Sequence, residues 1–175
     1  VLVSGAGPIG LMATAIARFT GARHVVVSEP NAYRRELAMR MGASIAIDPR
    51  ERTLSSVFDD LGMVEGFDVV MEMSGNARAL RDAIGAMAHG GGIAILGLPT
   101  AEISLDINEI VMKMLTLRGI YGREMYETWY KMTQLVLSGF PLGKVLTHQL
   151  PIDDFQKGFD LMEGGKSGKV VLSWN

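Results

Sequence analysis

The 175-residue sequence contains no cysteine, so neither a disulfide nor a cysteine-ligated zinc site can form within it. It has no run of basic residues, and its formal net charge of −2 gives no electrostatic support for nucleic-acid binding. No apolar stretch reaches the roughly 18 uninterrupted residues of a membrane span. These absences favour a cytoplasmic protein that binds neither a membrane nor a nucleic acid.

The first residues also lack the basic leader of a signal peptide, so we expect none. Val1 already lies in an apolar strand pattern, and we interpret the sequence as beginning inside a longer protein. Hydrophobic residues make up 48% and charged residues 21% of the chain, which is ordinary for a globular domain with a sizeable core.

Short apolar runs alternate with helical patterns along almost the whole chain. Parallel strands need crossover connections, and helices of this spacing supply them. The alternation therefore predicts an α/β fold with a doubly wound (Rossmann) six-stranded parallel sheet and helices on both faces. The predicted strands are 1–4, 25–27, 45–47, 67–73, 93–96 and 115–120, and the predicted helices include 31–41, 77–88, 107–114 and 124–137.

Three glycines, Gly5, Gly7 and Gly10, form a G-x-G-x-x-G pattern between the first strand and the first helix. In dinucleotide-binding domains the first glycine permits the tight turn, the second lets the backbone approach a pyrophosphate, and the third lets the helix pack closely on the strand. The helix N-terminus then offers free N–H groups to the phosphates, and we expect Ile9 beside the dinucleotide. An ordinary tight turn is the alternative interpretation.

Glu29 ends the second strand, 19 positions after Gly10, near the spacing of about 20 that is typical of a ribose-binding carboxylate. A carboxylate accepts hydrogen bonds from ribose hydroxyls and repels a 2′-phosphate, so NAD is predicted in preference to NADP. Alternatively, Glu29 only interacts favourably with the next helix N-terminus. Arg34 lies in that helix's first turn, where a cation opposes the dipole, and is predicted to contact adenosine or brace Glu29, or else to be solvated.

The carboxyl ends of the later strands should line the same crevice, because ligands of open parallel sheets bind outside those ends. Glycine there keeps the wall low enough for a flat nicotinamide to lie against the backbone, although each glycine alone is equally consistent with a simple turn. The cofactor-binding residues predicted at these ends are Leu96, Gly97, Leu98, Ile120 and Tyr121.

Other polar residues show no catalytic or metal-binding pattern. His24, His89 and His148 are scattered, and Asp153 and Asp154 are typical of a helix start. We therefore predict no catalytic residue and no metal ligand in this chain. Glycine and proline cluster at 139–148, which predicts an NAD-binding domain at 1–148 and a C-terminal helix–strand segment at 149–175.

The whole sequence resembles the C-terminal half of L-threonine 3-dehydrogenases, in the zinc-containing medium-chain alcohol dehydrogenase superfamily. Broad motifs carry part of the resemblance: G-A-G-P-I-G-L-M, S-E-P-N-A-Y-R-R-E-L-A and E-M-S-G-N. Two segments are more specific, G-I-Y-G-R-E-M-Y-E-T-W-Y-K-M and I-D-D-F-Q-K-G-F-D-L-M-E-G-G-K-S-G-K-V-V-L-S-W.

The resemblance implies oxidation of L-threonine to 2-amino-3-ketobutyrate, with NAD as hydride acceptor and a zinc ion at the reacting oxygen. It places the zinc ligands and proton relay in an N-terminal domain that precedes Val1, so the chain alone is expected to be inactive. The resemblance also implies a homo-oligomer, a tetramer in the family, and a C-terminal segment that returns toward the catalytic domain. The NAD contacts that it implies are Ile9, Glu29, Arg34, Leu96, Gly97, Leu98, Ile120 and Tyr121.

Two other functions remain compatible with these residues. The first is another medium-chain polyol or alcohol dehydrogenase, against which only the segment E-M-Y-E-T-W-Y argues. The second is a non-catalytic nucleotide-sensing module, which uses the same glycine pattern and the same acidic strand end; the six strands with a trailing helix and strand favour a dehydrogenase.

Overall fold

The computed structural model describes residues 1–122 and 124–174. Its main element is a six-stranded parallel sheet with the strand order β3-β2-β1-β4-β5-β6, which confirms the predicted doubly wound fold. The strands are β1 (Leu2–Ser4), β2 (Val26–Ser28), β3 (Ile45–Ile47), β4 (Phe67–Glu72), β5 (Met87–Ile95) and β6 (Thr116–Gly119).

Helices cover both faces of this sheet because each central strand is apolar on both sides. Successive side chains of β1 point to opposite faces, so that Val3 packs in one core with Leu11 of the first helix, and Leu2 packs in the other with Leu80. The helices are α1 (Pro8–Phe19), α2 (Ala32–Arg40), α3 (Ser56–Leu61), α4 (Ala77–Gly85), α5 (Ile107–Met112), α6 (Glu127–Leu137) and α7 (Phe155–Glu163). No helix in the described part of the chain has the length and apolar content needed to cross a membrane.

The order of the strands reverses beside β1, which pairs with β2 on one side and with β4 on the other. The chain therefore leaves these strands in opposite directions, and a crevice opens outside their carboxyl ends. The glycine-rich turn follows β1 directly, so the fold places it at this crevice.

Three element boundaries differ from the sequence prediction by three residues or more. The helix predicted to reach residue 88 ends at Gly85, and β5 begins at Met87 rather than near Ile93. A register shift explains the longer strand, since Phe67 pairs with Met87 but Val69 pairs with Gly92, and Gly90 takes a positive φ of 73°. The helix predicted from Glu124 begins only at Glu127, after Tyr126 with a φ of 67°.

The predicted C-terminal helix and strand are present as α7 and β8 (Lys169–Ser173), but β8 pairs in parallel with a strand that the sequence analysis missed, β7 (Leu146–Pro151). This small sheet lies against the main domain: the Asn31 side chain at the start of α2 donates a hydrogen bond to the carbonyl of Gly165 at 3.2 Å. The division of function between 1–148 and 149–175 remains a prediction.

Candidate functional site

A cleft of about 900 Å³ opens at the carboxyl ends of the central strands and continues between α3 and α4. Its lining includes four of the residues predicted to bind a cofactor, Gly5, Gly7, Glu29 and Arg34. Other lining residues that matter below are Ser28, Pro30, Arg50, Ser74 and Asn76.

The glycine-rich turn has the geometry that its pattern predicts. Gly5 has a φ of 89°, a conformation that side chains disfavour, and its N–H donates to the carbonyl of Ser28 at 2.9 Å. A Cβ at Gly10 would overlap the carbonyl oxygen of Gly5, so this glycine lets α1 pack directly on the turn. At Gly7 a Cβ would meet no heavy atom within 4 Å, which leaves open space above the turn.

The N-terminus of α1 points its free N–H groups into this space. Gly7 is the N-cap and has no side chain with which to cap the helix, and the first turn contains no acidic residue. A 12-residue helix with an uncapped start carries a partial positive charge there and can receive a phosphate. The open turn and the uncapped helix together fit the pyrophosphate of a dinucleotide.

Glu29 lies at the end of β2, directly across the turn from Ala6. Its side chain is only 5% exposed, and its two oxygens accept hydrogen bonds from Ala6 N at 2.7 Å and Asn31 N at 2.9 Å. Each carboxylate oxygen can accept a further hydrogen bond, so the group retains acceptor capacity for ribose hydroxyls in the cleft. The backbone donors fix its orientation before any ligand binds.

Arg34 lines the same cleft from the first turn of α2. Its backbone N–H donates to the Asn31 side chain at 3.1 Å, and Asn31 thereby caps the N-terminus of α2. Its guanidinium Nε is buried and has no hydrogen-bond partner among residues 1–122 and 124–174. A buried donor without a partner is unfavourable, so this atom fits an acceptor supplied by a ligand in the cleft.

An arginine–aspartate cluster that the sequence analysis missed supports the strand end that carries Glu29. Asp48, buried after β3, pairs with Arg50 at 2.6 Å and with Arg35 at 3.1 Å. Arg35 Nη1 also donates to the carbonyls of Glu29 at 2.9 Å and Pro30 at 2.8 Å. Hydrogen bonds from Arg50, aided by the positive charges of both arginines, hold the pKa of the Asp48 carboxyl well below its usual range.

We expect the Asp48 cluster to make stability depend on pH in the acidic range. Because the folded-state pKa is depressed, the ionised carboxylate stabilises the fold above its unfolded pKa of about 3.9, and this contribution is lost as pH falls toward the folded value. Asp48→Asn should therefore unfold at lower urea concentration than the wild type at pH 7, and the difference should shrink below about pH 4.

The control is Asp60→Asn, which breaks an exposed ion pair with Arg52 and should change the urea midpoint little at any pH. A difference between Asp48→Asn and the wild type that stays constant from pH 7 to pH 3 would contradict the proposed role of this carboxylate.

The remaining predicted residues lie outside the lining of this cleft. Leu96, Gly97 and Leu98 follow β5, and Ile120 and Tyr121 follow β6, so all five occupy the carboxyl edge of the sheet. Leu98 is 82% and Tyr121 is 95% exposed. Ile9 is half-exposed on the first turn of α1, whereas Gly10 is buried beneath it. The structure thus puts the predicted residues along one edge, but only four of them in the cleft.

Glu72 is a third buried carboxylate at the same edge, after Glu29 and Asp48, and it was not among the residues predicted from the sequence. It ends β4 as Glu29 ends β2, and is 1% exposed. Its carboxylate accepts hydrogen bonds from the N–H groups of Ser74 and Gly75 and from the Ser74 hydroxyl. One sequence signal could have identified Glu72: it is an acidic residue at the end of an apolar strand, shortly before Ser-Gly.

The described residues do not fit a zinc site. No group of three or more histidine, cysteine, aspartate or glutamate side chains in residues 1–122 and 124–174 lies close enough to hold a metal ion. His24, one of the scattered histidines, has a buried Nε2 without a partner in that part of the chain, and burial lowers the pKa of its imidazole.

The doubly wound sheet, the glycine-rich turn and the acidic end of β2 define this class of protein as a Rossmann domain. The chain belongs to the zinc-binding dehydrogenase family, whose sequence pattern matches residues 8–138. Its sequence is 61% identical over all 175 residues to an L-threonine 3-dehydrogenase of Stenotrophomonas maltophilia (strain K279a). It is 54% identical over the same length to an L-threonine 3-dehydrogenase of Yersinia pestis (strain Pestoides F), and the resemblance seen in the sequence is thereby confirmed.

The chain spans about half the length of these relatives, 51% in both cases. Among solved structures it is similar to a 2R,3R-butanediol dehydrogenase from Bacillus subtilis, with a TM-score of 0.89 and 27% identity over 99% of this chain and 50% of that one. It is also similar to an alcohol dehydrogenase from Thermus sp. ATN1, with a TM-score of 0.84 and 28% identity over 98% of this chain and 50% of that one.

Proposed function

We propose that this chain is the NAD-binding part of an oxidoreductase that oxidises L-threonine to 2-amino-3-ketobutyrate. The main support for NAD as the cofactor is the carboxylate of Glu29, which is already oriented by backbone hydrogen bonds beside an open glycine-rich turn. The main support for L-threonine as the substrate is the 61% sequence identity, over the whole chain, to a relative named L-threonine 3-dehydrogenase. The bound nicotinamide would supply the acceptor for the hydride that leaves the substrate carbon.

The residues of this chain hold and orient that cofactor. Glu29 would accept hydrogen bonds from the adenosine ribose, and the buried Nε of Arg34 would donate one on the same side of the cleft. Gly7 and the start of α1 would receive the pyrophosphate. Ile9 would pack beside the dinucleotide, and the nicotinamide half would lie against the turns after β5 and β6, formed by Leu96, Gly97, Leu98, Ile120 and Tyr121.

The zinc site and the proton relay would lie in the part of the relatives that this chain does not match. The 175-residue chain should therefore bind NAD in calorimetry but produce no NADH from L-threonine, even with added zinc. A protein in which this chain is joined to a zinc-binding half should reduce NAD with L-threonine in preference to 2,3-butanediol. Zinc-dependent turnover by the 175 residues alone, or a preference for the diol, would contradict the proposal.

We also propose that the protein forms a homo-oligomer through the edge of its sheet. β6 is the last strand, pairs only with β5 among the described strands, and leaves one edge free. A two-fold axis beside this edge would join two sheets, with the two β6 strands antiparallel. The alternative is a monomer whose edge is covered by residues 99–104 or by the C-terminal segment.

Leu117→Pro tests this interface directly. The N–H of Ile120 donates to Ile95 of β5, and N–H groups alternate in direction along a strand, so the N–H of Leu117 points to the free edge. Proline there spares the β5–β6 pairing but removes a donor from a β6–β6 pairing, at a cost of about 1–3 kcal/mol for each acceptor left without a partner.

We expect light scattering to show a monomer for Leu117→Pro and an oligomer for the wild type. The matched control, Leu117→Ala, keeps the N–H and should remain oligomeric. An oligomer that survives the proline would place the interface elsewhere, and a monomeric wild type at high concentration would reject the proposal.

A further inference from the structure

The buried carboxylate of Glu72 has no cationic partner in the described part of the chain. None of the ion pairs there involves it, although the side chain is only 1% exposed. Burying a charge is unfavourable unless hydrogen bonds replace its lost hydration. In Glu72 the hydrogen bonds come entirely from the next turn: Ser74 N at 2.9 Å, the Ser74 hydroxyl, and Gly75 N, which is shared between Oε1 at 3.2 Å and Oε2 at 3.1 Å.

These bonds also organise the start of α4. The N–H groups of Ser74 and Gly75 both donate to Glu72, and carboxylate oxygens are suitable acceptors for them. The Ser74 oxygen in turn accepts from Asn76 N at 3.0 Å, and the Asn76 side chain caps α4 by accepting from Arg78 N and Ala79 N. A continuous hydrogen-bond chain thus runs from Glu72 to a helix whose first residues line the cleft.

The main chain of the same residue holds the turn after β5. Its carbonyl accepts from Leu96 N at 2.9 Å and from Gly97 N at 3.0 Å. The two turns are in close backbone contact, since a Cβ at Gly97 would overlap both Gly75 N and the Glu72 carboxylate, and a Cβ at Gly75 would overlap the carbonyl of Leu98. Glu72 therefore touches both turns at the point where they meet.

We propose that Glu72 is a positioning residue for the dinucleotide. It sets the spacing between the turn Ser74–Gly75, which is on the adenosine side because Ser74 lines the cleft with Glu29, and the turn Leu96–Leu98, which is assigned above to the nicotinamide half. The inference rests on the proposed function, because it presumes that the two turns hold two halves of one cofactor. A carboxylate suits this position since its second oxygen faces Gly75 N and the backbone of Gly97 at once. A hydrogen-bond donor there would push the two turns apart.

Glu72→Gln is the discriminating change. Glutamine can keep Oε1 as the acceptor for Ser74, but its NH2 group then replaces Oε2, the oxygen that Gly75 N shares and that lies against Gly97. We expect NAD to bind about tenfold more weakly to this variant in calorimetry, whereas AMP, which occupies only the adenosine side, should bind within about twofold of the wild type. Ser74→Ala, which removes a donor to the other oxygen, should weaken both ligands.

The possible results distinguish the positioning role of Glu72 from the proposed NAD-binding function of the chain. If the wild type binds AMP and NAD but Glu72→Gln loses affinity for both in proportion to a lower melting temperature, the role of Glu72 is purely structural and the inference is overturned. Equal NAD affinity in wild type and Glu72→Gln also overturns it. Failure of the wild type to bind NAD rejects the proposed function and the inference together. If Glu72→Gln does not fold, Glu72→Asp, which keeps the charge but draws the carboxylate back by one methylene from the turn after β5, must show the selective loss of NAD.

Discussion

Glu29→Gln is expected to weaken NAD binding roughly 10- to 100-fold and to remove most of the preference for NAD over NADP. Glutamine retains a single acceptor oxygen, while the carboxylate uses two oxygens for Ala6 N and Asn31 N before any ribose hydroxyl arrives. The variant must leave a buried N–H facing an NH2 group, and it loses the charge that strengthens each hydrogen bond to the ribose. Isothermal titration with both cofactors measures the two affinities.

NADP should bind to Glu29→Gln at least as tightly as it binds to the wild type, since the variant lacks the carboxylate charge that repels a 2′-phosphate. Glu36→Gln is the matched control, because Glu36 lies on the exposed side of α2 and does not line the cleft. It should bind both cofactors like the wild type. Equal affinities of the wild type for NAD and NADP would contradict the proposal that Glu29 binds the adenosine ribose.

Substitution by alanine is expected to have opposite consequences at Gly7 and Gly10, two glycines of the same turn. Gly7→Ala should leave the free energy of unfolding unchanged to within about 0.5 kcal/mol, because the added Cβ meets no heavy atom within 4 Å and the φ of −65° suits alanine. It should nevertheless weaken NAD binding about 100-fold, since the methyl group occupies the space that the pyrophosphate needs.

Gly10→Ala should mainly lower the free energy of unfolding, rather than block the space for the pyrophosphate. The new Cβ overlaps the backbone carbonyl of Gly5, so α1 must move away from the turn, at a cost of about 3 kcal/mol or more. Urea unfolding and NAD titration of both variants give the comparison. Unchanged NAD affinity in a stable Gly7→Ala protein would show that the pyrophosphate does not cross this turn.

Local patterns were sufficient to predict the sheet and the first turn. The β-branched run Val25–Val27 and the alternation of strands with helices depend on residues close in sequence, and the resulting six-stranded sheet is the observed one. The turn from Gly5 to Gly10 joins one strand to one helix, so its geometry also follows from neighbouring residues. Glu29 could be selected for the same reason, as it directly ends a strand.

Contacts between distant segments could not be predicted in this way. The bonds from Arg35 and Arg50 to Asp48 depend on β2 and β3 ending side by side, and β7 exists only because β8, more than 15 residues later, pairs with it. The long β5 depends on a register shift against β4. A sequence window contains only one member of each pair, so none of these features has a local signal.

The sequence by itself determined that the chain forms a doubly wound sheet with an open glycine-rich turn and a carboxylate beside it, because strand and helix periodicities and turn chemistry act over a few residues. Only the tertiary structure decided how those parts are held. It buried Glu72 between the turns after β4 and β5, braced Glu29 through Arg35, and left the Nε of Arg34 in the cleft without a partner among the described residues. Hydrogen bonding of buried groups depends on which strands become neighbours, and that is settled only when the sheet assembles.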